Sequence, residues 1–120
     1  MKIIVAGGRD FKNHEALDSV LSSNVNPKFD IIVSGDAKGA DTLGIIWAQK
    51  HKVPVHHFPA KWTQQGKSAG FIRNTVMADY ADVAIIFWDG KSKGTEHMIK
   101  TMKKKNKPCW IYDYDGKLIE

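Results

Sequence analysis

The sequence predicts an open α/β sandwich, a parallel sheet of about five strands with helices on both faces. Three observations predict it. Five apolar runs of strand length, rich in β-branched residues, recur along the 120 residues. Stretches with helical spacing separate them, so strand and helix alternate. The runs are apolar at successive positions, as in strands covered on both faces rather than on one.

Taken in order, the first strand is Ile3 to Ala6, and it runs straight into Gly7, Gly8, Arg9, Asp10 and Phe11. A helix over about His14 to Ser23 ends at the turn-rich segment Asn24 to Pro27. The second strand, Ile31 to Val33, leads through Ser34 into a glycine turn, Gly35 to Asp41, and a helix over about Ala40 to Lys50 with Leu43, Ile46 and Trp47 on one face. The third strand is Val53 to Phe58. A polar stretch then leads into a helix over about Ser68 to Tyr80, whose buried stripe is read as Ala69, Ile72, Val76 and Tyr80. Val83 to Trp88 is the fourth strand, followed by a second glycine turn, Gly90 to Thr95, and a helix over about Thr95 to Lys105. Pro108 to Tyr112 is the last strand. No repeat, low-complexity segment or linker interrupts this order, so residues 1–120 read as one domain.

Composition bounds the function classes. One cysteine, Cys109, excludes an internal disulfide and a multi-cysteine zinc site, and its apolar neighbours predict a buried structural thiol. Trp47 and Trp110 are likewise expected in the core. No apolar stretch approaches the length of a membrane span and the N-terminal run is too short for a signal peptide, so a cytoplasmic protein is expected. Much of the net charge of +5 sits between Lys100 and Lys107, late in a helix, where lysines complement the helix dipole. On that reading the charge solvates a helix end and a nucleic-acid partner is not expected.

Ligands of open α/β sheets bind at the carboxyl edge of the strands, where the winding reverses. Both glycine turns lie there, each following a strand and opening a helix, an arrangement whose backbone N–H groups receive anions such as phosphate. Gly7 and Gly8 allow a sharp turn and a close approach, and Arg9 either pairs with a phosphate or carboxylate or forms a salt bridge to Asp10. Asp41 either caps its helix or accepts a hydrogen bond from a sugar hydroxyl. Arg73 falls beside the apolar stripe of its helix, so a guanidinium there needs a fixed anionic partner, either a ligand shared with Asn74 or a structural carboxylate. Phe11, Trp62 and Trp88 recur at the same edge and offer flat faces for a base, with Trp62 the hardest to assign to the core. His56 and His57 point to opposite faces of a strand and would not chelate one ion, and no nucleophile-elbow serine occurs. Neither a metal nor a cofactor is expected.

The ordered motifs Ala6 to Phe11, Ser34 to Asp41, Pro59 to Trp62, Gly66 to Asn74, Asp82 and Trp88 to Thr95 resemble the YspA-like branch of the SLOG superfamily over nearly the whole chain. The resemblance implies a Rossmann-like three-layer sandwich with strand order 3-2-1-4-5 and a site for a nucleotide or nucleotide-derived small molecule. It also implies kinship with domains that sense such signals in bacterial and phage conflict, and with LOG phosphoribohydrolases. In those enzymes a Pro-Gly-Gly-x-Gly-Thr-x-Glu-Glu loop and an upstream arginine carry the site. Arg73 matches the arginine, but the two glutamate positions fall on His97 and Met98, and Glu96 is one position early. A carboxylate displaced by one helical position swings by about 100°.

The candidate ligand-binding set is therefore Gly8, Arg9 and Phe11; Gly35, Asp36, Gly39 and Asp41; Trp62; Arg73 and Asn74; and Asp89, Gly90, Ser92, Gly94 and Thr95. Arg73, Asp89 and Glu96 are the catalytic candidates if turnover occurs. The expected function is binding of a phosphorylated nucleotide derivative as a sensor or sequestering protein, with phosphoribohydrolase activity as the alternative. A homodimer or higher homo-oligomer is expected from the resemblance and from the apolar surface of a small domain.

Overall fold

Strand β1 (Lys2–Gly7) is central because it is apolar on both sides: successive side chains point to opposite faces, and Ile3, Ile4 and Val5 are all buried. Ile3 and Val5 enter one core with Leu17 and Leu21 of α1 (His14–Asn24) and Trp47 of α2 (Ala40–Lys50). Ile4 enters the opposite core with Met77 of α4 (Ala69–Tyr80) and Met98 and Met102 of α5 (Lys93–Lys104). The computed structural model describes all residues, 1–120.

The sheet holds β3 (Val55–His57), β2 (Ile31–Ser34), β1, β4 (Val83–Phe87) and β5 (Cys109–Tyr112) in the order 3-2-1-4-5, every pair parallel. The expected Rossmann-like three-layer sandwich is thus the observed one. The chain winds outward from β1 to β3 with α1 and α2 on one face, then crosses back through α4 to place β4 on the other side of β1. The winding reverses between β1 and β4, and the loops leaving their carboxyl ends part to form a crevice.

The elements depart from the sequence reading in four places. A short helix α3 (Trp62–Gln65) and a 3-10 turn (Gly66–Ser68) occupy what reads as polar loop before α4. Helix α4 buries Ala69, Asn74, Met77 and Ala78, and leaves Ile72 and Val76 40% and 48% exposed. Both stripes satisfy helical spacing; the one with the small residues Ala69 and Ala78 wins because it lets α4 approach the sheet and α5 closely. Trp110 lies on the outer side of β5 and is exposed, whereas Trp47 is buried and donates its indole N–H to Asp18 at 3.0 Å. Finally, the C-terminal segment folds back along β5, with Leu118 bridged to Tyr112 and Ile119 N–H bonded to the Ile111 carbonyl at 2.7 Å. Asp113 holds that turn by accepting from Asp115 and Lys117 N–H, 2.9 Å each, so the edge strand is partly covered.

Cys109 is half-buried, and burial pushes its thiol up to about 11, in keeping with an inert structural role. No helix is long and apolar enough to cross a membrane.

Candidate functional site

The loop after β1 is fixed by two close approaches. Gly39 sits at φ +79, and a Cβ there would lie 2.2 Å from the Gly8 carbonyl, so the start of α2 rests directly on the Gly8–Arg9 backbone. Gly8 in turn leaves room for Tyr114, whose hydroxyl donates to Asp10 at 2.5 Å. Asp10 is thereby occupied, and Arg9 forms no ion pair with it or with any other acid; its guanidinium lies 6.0 Å from the centre of the Trp62 ring. Phe11 does not reach the site. It is 1% exposed and stacked on Phe87 with ring centres 4.6 Å apart, because an aromatic ring at the end of β1 gains more by closing the core than by facing water.

The turn after β2 is closed on itself. The buried Asp41 carboxylate accepts from Gly35 N–H at 3.1 Å and Ala37 N–H at 3.3 Å, and Asp36 N–H is taken by the Ser34 hydroxyl at 3.2 Å. These amides are engaged within the protein, and the helix is capped by Gly39 rather than by Asp41. Burial pushes the Asp41 carboxyl up to about 6, against the pull of the Arg73 charge and the two N–H bonds. Asp36, at φ +59, turns outward to His57 Nδ1 at 2.6 Å.

Arg73 is half-buried at the start of the crevice. Its Nη1 donates to the Gly35 carbonyl at 2.5 Å and its Nε to Asn74 Oδ1 at 3.0 Å, so no carboxylate is bonded to it and the rest of its fork stays available. Burial lowers its pKa, with Asp41 opposing. Asn74, also buried, donates to the Gly94 carbonyl at 3.2 Å and meets His97 Nδ1 at 3.3 Å, tying α4 to the start of α5. His97 is stacked under Phe71 with ring centres 4.3 Å apart, and its partial burial lowers its pKa, which favours the neutral ring that accepts from Asn74.

The turn after β4 is an Asx turn followed by a cap. Asp89 Oδ1 accepts from Lys91 and Ser92 N–H, 2.8 Å each, and these bonds hold its carboxyl below the usual range. Ser92 caps α5, its hydroxyl 3.0 Å from Thr95 Oγ1. Two of the catalytic candidates are thus turned away: Asp89 is bonded into its own turn, and Glu96 pairs with Lys100 along the exposed face of α5 at 3.4 Å. Gly90 supplies the positive φ of the turn and is exposed, outside the crevice.

What remains is a crevice of about 160 Å³ at the switch point, walled by Arg9, Asp41, Arg73 and Asn74 on one side and by Ser92, Gly94 and Thr95 on the other. Trp62 and Phe71, 49% and 48% exposed, stand at its rim with Lys67. A shallower groove that shares Arg9, Trp62 and Arg73 continues past Lys38 and Pro59, so the surface is an open trough rather than a closed pocket. Lys67, Phe71 and Lys38 are absent from the residues chosen by sequence. Lys67 lies in the glycine-rich turn before α4 and Phe71 in its first turn, and a basic residue and an aromatic ring four positions apart were the available signal.

The winding and the glycine turns at the carboxyl edge are those of a Rossmann-like domain. Residues 1–65 match the YspA, cpYpsA-related SLOG family, and the chain belongs to it. It is similar to the Gene 61 protein of Mycobacterium phage D29, with 30% identity over 115 residues, 89% of this chain and 92% of that protein. Among solved structures it resembles DNA processing protein A from Helicobacter pylori, described for its unique single-stranded DNA binding mode, with a TM-score of 0.65 and 22% identity. That match covers 93% of this chain and 65% of the other, so this chain spans somewhat less than two thirds of the solved one. At this identity the likeness establishes the fold.

The expected partner is corrected by that finding. A protein that shares this fold over most of the present chain binds single-stranded DNA, which overturns the reading that set nucleic acid aside in favour of a nucleotide-derived small molecule. The sensor and sequestering roles expected for such a molecule are corrected with it. The physical reasons lie in the site: positive charge is gathered at the trough as well as at the end of α5, and His97 and Met98, at the glutamate positions of the LOG loop, are packed inward.

Proposed function

We propose that this chain binds single-stranded DNA along the carboxyl edge of its sheet, with a backbone phosphate at the crevice between Arg9 and Arg73 and bases stacked on Trp62 and Phe71. One observation carries the reading: two guanidinium groups without carboxylate partners flank an open trough whose rim presents two half-exposed aromatic rings. Binding of single strands without strong sequence preference combines these two parts, a basic groove that follows the backbone and aromatic faces that accept any base. The N–H groups at the start of α5 add an anion-favouring dipole on the opposite wall. The shared fold of the Helicobacter pylori protein supports the same partner.

The roles differ by residue. Arg73, held by Gly35 and Asn74, offers a preorganised fork for phosphate. Arg9 makes no side-chain hydrogen bond and lies over Trp62, where a base would add to the stack. Asn74 positions Arg73. Duplex DNA hides its base faces, so it engages only the basic part of the trough.

Titration of the protein into a fluorescently labelled oligothymidylate, read by anisotropy, tests this. The expected result is tighter binding to the single strand than to a duplex of equal length, and a loss of about 5- to 150-fold for Trp62→Ala, from 1–3 kcal/mol per stacked base. Equal affinity for single strand and duplex, with no effect of Trp62→Ala, would overturn the stacking platform.

A further inference from the structure

A second depression lies on the other side of Arg73. It holds about 280 Å³ and is lined by Phe58 and Pro59 beyond β3, by Ile72 and Val76 of α4, and by the polar side chains of His57, Lys61 and Gln65. Ile72 and Val76 are the residues whose spacing reads as a buried stripe and which the fold leaves exposed. Nothing in the chain covers them. Arg73 is a wall of both depressions, so the phosphate crevice and this cleft are separated by one guanidinium.

We infer that the cleft between Pro59 and Val76 is a nucleobase subsite, receiving an unstacked base of the same strand whose phosphate lies at Arg73. The inference rests on the single-stranded DNA reading and extends it. The walls have the required chemistry: aliphatic and aromatic carbon from Phe58, Pro59, Ile72 and Val76 for the two faces of a ring, and the Gln65 amide, donor and acceptor at once, for its edge. Continuity through Arg73 favours a base over an apolar peptide, because a phosphodiester on one side of a guanidinium brings the attached nucleoside to the other. Gln65 makes no side-chain hydrogen bond within the chain, and its amide is exposed.

The experiment compares oligothymidylate with an abasic oligonucleotide of the same length, whose backbone charge is identical. Wild-type protein and the Ile72→Ser/Val76→Ser double variant are titrated into each, and the affinity ratio between the two strands is taken for each protein. Both replaced side chains lie outside the buried core, at 40% and 48% exposure, so the fold is retained, which circular dichroism and the melting temperature verify. The expected result is a ratio about five- to a hundredfold smaller for the double variant, the worth of one base contact, with abasic binding little changed. An unchanged ratio, with Trp62→Ala still lowering it, would overturn the subsite and leave the DNA reading standing. No binding of either strand by the wild type would instead remove that reading itself.

Discussion

Arg73 reaches the trough because Asn74 and the Gly35 carbonyl hold its guanidinium from two directions. That fork is the part of the site a lysine cannot reproduce. Arg73→Lys is therefore expected to lower single-stranded DNA affinity about ten- to a hundredfold, the value of a hydrogen bond to a charged group, as read by anisotropy. Unchanged affinity would reduce Arg73 to a point charge. Asp41 is the one carboxylate in the crevice, and burial raises its pKa from 3.8 to about 6. A raised folded-state value means that the folded protein holds the proton more tightly. This contribution to stability is fully present below 3.8 and is lost as pH rises through about 6. Its protonation also removes a negative charge beside the phosphate site. Affinity should accordingly rise as pH falls from about 7.5 to 5.5, and Asp41→Asn should flatten both the affinity and the stability difference over that interval. An equal pH slope in the variant would assign the dependence to other groups. At this scale the sequence was least legible. It places Phe11 and Asp89 in the right loops and Glu96 at the start of the right helix, but the direction of each side chain depends on partners it does not show, such as Tyr114 filling the space over Gly8 from the far end of the chain.

The glycine turns look alike in sequence and differ in structure. Gly39 is pinned at φ +79 with its missing Cβ against backbone atoms of Gly8 and Arg9, whereas nothing lies within 4 Å of the Cβ position of Gly94. Gly39→Val should thus destabilise the fold by about 2–5 kcal/mol through strain and overpacking, measured by urea unfolding. Gly94→Val should fold normally and obstruct the crevice from the α5 side, lowering DNA affinity with little change in unfolding midpoint. The reverse pattern would contradict the packing of both turns. Strand order along the chain was readable because each buried strand is apolar on both faces, as Ile3, Ile4 and Val5 show. Helix α4 was misread because two stripes share its period, and a choice between them requires knowing that it packs on α5 as well as on the sheet. The short α3 had no apolar periodicity to announce it.

Across the whole molecule, basic side chains gather at two places, the end of α5 and the trough, where Arg9, Lys38, Lys67 and Arg73 meet the acids Asp36 and Asp41. Composition could not separate these locations, because only the folded sheet brings the loops after β1, β2 and β3 to one edge. If two to four of these cations neutralise phosphates, the logarithm of the binding constant should fall against that of salt with a slope of about −1.5 to −3, at ~0.7 per phosphate on a single strand. The most direct test titrates wild-type protein and Arg73→Ala into labelled oligothymidylate between about 50 and 200 mM salt. The wild type is expected to show saturable, salt-dependent binding, and the variant an affinity at least about tenfold weaker with a shallower slope. Absence of binding at the lowest salt, or identical affinity and slope for the two proteins, would contradict the single-stranded DNA reading.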